Sequence, residues 1–265
     1  GVSFLHTLFN ITNTLLLVGF TNQIVKLVSY VIKTEDTEEV FRLKYIQGGV
    51  LSTAELSLSQ AKSEITDFAK LAKQEFSYAR EAMRLCNSDK FDELYAKIEH
   101  YEQITDKVEL EIANYLNNVS EGELSEESGR RLQAMYKIIS EIESLGDSGY
   151  NIARILNRLR VHKKNFSDDV CDKLDHMFDL LDRAFDHMIN NLDKGYTKLD
   201  GISNAVDLEE QINEYRNLLK EEHLFNLENN KYGYQTGVYY MDIVAECEKA
   251  GDYMINVSEA IIEIQ

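Results

Sequence analysis

The sequence predicts an all-α protein: two tandem three-helix bundles preceded by one membrane-type helix. Three observations point there. The 265 residues include no proline, where average usage near 5% would place roughly 13. Proline removes a donor and clashes inside a helix, so its absence suits long uninterrupted helices. Next, Ile138, Ile142, Leu145, Gly149, Ile152 and Leu156 recur at three- and four-residue spacing, marking one buried helix face. Finally, a pattern repeats within the chain. Residues 139–153 read I-S-E-I-E-S-L-G-D-S-G-Y-N-I-A, and residues 244–258 read V-A-E-C-E-K-A-G-D-Y-M-I-N-V-S, 105 positions later. A repeat of that length points to a duplicated unit, and no segment carries hairpin turn chemistry.

The elements follow in order. Residues 2–32 contain no charged side chain before Lys26, and residues 15–20 are almost wholly apolar. That length suits a membrane span, although Asn10, Asn13, Asn22 and Gln23 also fit the core helix of a soluble bundle. Lys26, Lys33, Arg42 and Lys44 follow the stretch, which by the positive-inside tendency puts the remainder in the cytoplasm. The first residue is Gly1, and residues 1–33 are read as a membrane helix with something missing upstream. Residues 34–49 form a linker ending at Gly48-Gly49. The first three-helix unit spans 50–162, with helices expected at about 53–85, 89–116 and 125–160. The second spans 163–265, with helices at about 167–195, 203–228 and 236–264. Ser167 is a good N-cap, and Asp168 and Asp169 complement the dipole of the helix it starts.

Charge and cysteine usage narrow the function. With 28 basic and 46 acidic residues the formal net charge is -18, a surface that repels phosphate backbones and excludes nucleic acid as a partner. It attracts cations or basic partners. Cys86, Cys171 and Cys247 lie far apart with no C-x-x-C, so neither a zinc knuckle nor a thiol redox site is expected. No phosphate-binding loop, nucleophile elbow or zinc-protease motif occurs. None of His100, His162, His176, His187 and His223 is preceded at the third position by Glu, so a ferritin-like di-metal centre is disfavoured. No catalytic residue is assigned, and an enzyme is not expected.

The acids themselves are patterned. Glu102/Asp106, Glu143/Asp147, Glu210/Glu214 and Glu248/Asp252 are i,i+4 pairs. Like charges at that spacing cost about 0.2–0.5 kcal/mol, and a bound cation reverses the sign. In so acidic a chain such pairs also arise by chance as solvated faces. These four fall at matching places in the two repeats, Glu102-Gln103-Ile104 recurring as Glu210-Gln211-Ile212 108 residues on, beside the matched Gly146 and Gly251. The eight carboxylates are the candidate metal ligands. On the fifth helix Glu209/Asn213 is an equally spaced alternative to Glu210/Glu214.

Residues 143–153 and 248–258 resemble the E-R-I-G-D-H-x-x-N-I-A signature of the PhoU family, with Ser148 and Tyr253 standing where the histidine follows the aspartate. The resemblance covers roughly residues 50–265. It implies tandem three-helix bundles whose acid-x-x-x-acid motifs hold multinuclear clusters of iron, zinc or another divalent ion such as magnesium. His6-Thr7-Leu8-Phe9-Asn10 and the apolar helix after it resemble the last membrane helix of bacterial sodium/phosphate cotransporter-like proteins. That resemblance implies a regulatory domain of a sodium-dependent phosphate transporter, on the cytoplasmic side of the bacterial inner membrane, regulating phosphate uptake. Its candidate partners are the upstream transporter domain, the membrane through residues 2–32, phosphate at the metals, and a second copy of the chain. The alternative is an acidic helical adaptor that docks a basic partner without metal.

Overall fold

In the computed structural model, residues 6–7, 9–10, 43–50, 53–194, 202–229 and 231–263 are described. They form six long helices: α1 (Ala54–Arg84), α2 (Phe91–Ser120), α3 (Glu126–Val161), α4 (Asp168–Lys194), α5 (Ser203–Glu228) and α6 (Tyr234–Ile262). No strand occurs among the described residues. The expected span over 2–32 lies outside them apart from four positions, and among the described residues no helix is long and apolar enough to cross a membrane. The chain divides into units over 1–42 and 43–265, and the six helices belong to the second.

The helix ends follow local chemistry. Thr53 accepts from the Leu56 N–H, Ser125 from the Ser128 N–H at 3.1 Å, and Ser167 from the Val170 N–H at 3.4 Å. Each bond satisfies a donor that the first turn leaves orphaned. Past the end of α3, Lys163 takes a left-handed φ of 51° and the Lys164 N–H reaches the Leu159 carbonyl at 3.0 Å, which stops the helix. Two helices extend beyond the sequence expectation: α2 runs on to Ser120, and α6 starts at Tyr234.

α1, α2 and α3 pack together, as do α4, α5 and α6, and the two bundles join along α3–α6 and α1–α4. Alanines 61, 69, 72, 79 and 82 of α1 are wholly buried, which lets its neighbours come close. Phe76 meets Phe185 across the junction, with ring centroids 5.2 Å apart. On its rim Arg80 reaches Asp175 at 2.7 Å, Asp179 at 2.6 Å and Asp182 at 3.3 Å, while Lys73 reaches Asp186 at 2.7 Å. Asn256, the asparagine of the second repeated motif, donates to Glu141 on α3 at 3.0 Å.

Part of the expected linker is docked on α1. The buried Glu64 carboxylate accepts the backbone N–H groups of Lys44 at 2.9 Å and Tyr45 at 2.8 Å. Lys44 reaches Asp67 at 2.7 Å, and Ile46 is buried.

Candidate metal centre

The site begins with a stripe on α1. Phe68, Ala72, Glu75, Ala79 and Ala82 follow one another at helical spacing, and all are 0% exposed. Glu75 is thus a carboxylate in a core position, and neither of its oxygens has a hydrogen-bond partner. An orphaned buried polar group costs about 1–3 kcal/mol, more when charged.

Glycines on α3 make room for it. A Cβ at Gly146 would lie 3.1 Å from Thr105 Oγ1 and 3.4 Å from Glu75 Oε2, and one at Gly149 would lie 3.4 Å from Glu75 Cγ. Glycine here permits close approach of three helices at about 1 kcal/mol of helix propensity. Thr105 does not satisfy Glu75, because its hydroxyl donates to the Glu102 carbonyl at 2.8 Å.

Above Glu75 sit the acids of α2 and α3. Glu102, Asp106 and Asp147 can each offer an oxygen, all within 4.8 Å of one another. Burial first, and then the charges of Glu102, Asp147 and Asp106, push Glu75 well above the ordinary carboxylate range. Glu102 is raised by burial and by Asp106 and Asp147, and Asp147 by burial, Asp106 and Glu246. Glu143 is raised to about 6 by burial and by Asp147, Glu109 and Asp106. Glu109, raised by burial and by Asp106, joins the same negative field. The structure therefore gathers Glu102, Asp106 and Asp147 into one group, with Glu143 beside it.

The fit to a cation rests on this donor set. An all-carboxylate cluster with an unpartnered carboxylate beneath it suits a hard cation, which prefers oxygen ligands. Sequence reasoning missed Glu75. The available signal was a glutamate interrupting the apolar stripe of α1.

The second face is built differently. A Cβ at Gly251 would meet Ile212 Cδ1 at 3.2 Å, as one at Gly146 would meet Thr105. Ile212 thus takes the place of Thr105, an offset of 107 residues rather than the 108 read from Glu-Gln-Ile. In this register Glu209 matches Glu102, Asn213 matches Asp106, and Arg216 matches Glu109. Glu209 and Glu248 raise Asp252 after burial, and Arg216 opposes them. Glu210 and Glu214 are exposed, so of the two spacings left open on the fifth helix it is Glu209/Asn213 that faces Asp252. Glu248 pairs with Arg216 at 3.2 Å.

Residues 65–156 match the PhoU domain family. The fold is that of two solved structures. One is the phosphate transport system regulatory protein PhoU from Streptococcus pneumoniae, at TM-score 0.67 and 18% identity over 80% of this chain and 96% of that one. The other is PhoU from Pseudomonas aeruginosa, at TM-score 0.71 and 13% identity over 80% of this chain and 98% of that one. No curated protein matches the sequence.

Proposed function

We propose that the chain is a metal-binding, PhoU-like regulatory domain that adjusts phosphate uptake by a sodium-dependent phosphate transporter. The observation that carries the metal reading is Glu75, buried without a partner beneath Glu102, Asp106 and Asp147. A cation there supplies the missing positive charge and ties α1, α2 and α3 together. Carboxylate-only donors favour magnesium, manganese or ferric iron over zinc. The regulatory reading rests on the PhoU domain match, on the fold shared with a phosphate transport regulator, and on the resemblance of the leading segment to sodium/phosphate cotransporter-like proteins.

Elemental analysis of the purified protein tests the metal. Asp147→Asn and Glu75→Gln keep the shape of the site and are expected to lose the bound ion. They also lose the associated stabilisation, about 2.7 kcal/mol at a hundredfold excess over Kd. In cells, Asp147→Asn in the full-length protein is expected to uncouple phosphate uptake from phosphate supply. A wild-type protein without metal, whose uptake is unchanged by Asp147→Asn, would return the chain to the acidic adaptor reading.

A further inference from the structure

The two acidic faces descend from one repeat, yet only one of them lacks a positive charge. On the first, Glu75 has no partner, and Glu102, Asp106, Glu109, Glu143 and Asp147 share a field in which, among the described residues, none of them pairs with a cation. On the second, the Arg216 guanidinium is ion-paired with Glu248 at 3.2 Å and donates to the Asn213 carbonyl oxygen at 3.4 Å. Asn213 in turn donates its amide to Glu209. Glu209, Asn213, Arg216 and Glu248 therefore form a relay that bridges α5 to α6, with Asp252 beside it and the buried Arg216 Nε left without a partner. The exchange Asp106 to Asn213 is what makes the relay work. An amide donates to one neighbour and accepts from the next, whereas an ionised carboxylate only accepts.

We infer that Arg216 is the resident cation of the second face, so that metal uptake belongs to the first face alone. The inference deepens the metal reading proposed above and rests on it only for the part that concerns uptake. A guanidinium ion-paired with a carboxylate in a partly buried seam supplies the neutralisation that a metal would give. The second three-helix unit thereby ties α5 to α6 at any metal concentration, while the acids of α2 and α3 are neutralised only when the ion is bound. Duplication has left one responsive bundle and one constitutive bundle.

Thermal unfolding of the whole chain, with chelator and then with Mn²⁺ as the probe, tests both parts. In chelator, Arg216→Gln is expected to lower Tm by about 2–4 °C, the shift expected for one such contact in a domain of this size. Asp147→Asn in the same buffer should leave Tm unchanged or raise it, because it relieves repulsion. With Mn²⁺, Asp252→Asn should keep the bound manganese and the rise in Tm, and Asp147→Asn should lose both. An Arg216→Gln protein as stable as wild type in chelator would overturn the resident-cation role. Loss of manganese in Asp252→Asn equal to that in Asp147→Asn would overturn the assignment of uptake to the first face. If wild type binds no manganese while Arg216→Gln still lowers Tm, the metal reading falls and the role of Arg216 stands.

Discussion

Glu75, Glu102, Glu143 and Asp147 all hold their protons more tightly folded than unfolded, and this sets a pH dependence. A carboxyl raised by folding contributes stability that is complete below its unfolded value and is lost as the pH climbs through its folded value. For Glu143 the window runs from the ordinary 4.5 to about 6, and Glu75, raised well above 4.5, acts in the same direction. The metal-free protein is therefore expected to be more stable at about pH 5 than at about pH 7.5, read as a fall in urea midpoint with an unchanged slope. Metal should remove most of that fall, and Glu143→Gln should shrink it. Asp67 and Asp175 act in the opposite direction. Burial would raise them, but hydrogen bonds from Lys44 and Lys70, and from Arg80 and Arg84, hold them below the ordinary range. Their contribution disappears only in stronger acid. A midpoint that rises steadily from about pH 5 to about pH 7.5 without metal would contradict this account.

At the scale of the element, the helices end where side chains can satisfy orphaned backbone groups, and most of those residues stand out in the sequence. Ser125 and Ser167 are followed by acids that suit a helix start, and Arg158 and Arg160 suit the last turn of α3. The close of α3 is less legible, because a lysine occupies the left-handed position that glycine usually fills. Replacing Lys163 with glycine relieves the Cβ crowding of that conformation. Lys163→Gly is accordingly expected to stabilise the protein by about 1 kcal/mol, the cost of that conformation for an L-residue. Chemical denaturation measures it, and a loss of stability would show that the turn is held by the lysine side chain instead.

Across the whole molecule, α1 and α4 are joined by ion pairs around a tightly packed apolar seam. Arg80 is 18% exposed and serves three aspartates spaced along α4. Removing it leaves Asp175, Asp179 and Asp182 facing one another, with Arg84 still paired to Asp175 and Lys73 to Asp182. Such a partly buried hub counts for more than a surface pair. Arg80→Ala should cost about 2 kcal/mol, with a smaller loss in high salt, where the remaining aspartates are screened. A double-mutant cycle with Asp175→Ala separates the pair from the packing of the arginine stem. Additive single effects would mean that the aspartates do not act through Arg80.

The sequence by itself determined the helical class, the six helices and the acids of α2 and α3, because each is written at short range. Proline absence, a three-to-four-residue stripe, an N-cap and an i,i+4 carboxylate pair all lie within a few residues of chain. The tertiary structure decided what long-range packing controls. Glu75 lies 27 residues before Glu102, and only the closure of α1 against Gly146 and Gly149 places it under the cluster. The register of the second repeat was decided in the same way. Glu-Gln-Ile looks like the better match in one dimension, but the contact of Ile212 with Gly251 shows which face of α5 is turned inward. A slip of one residue turns a helix by about 100°. That rotation carries Glu210 and Glu214 to the solvent and brings Glu209, Asn213 and Arg216 to the seam, where a guanidinium stands among the acids.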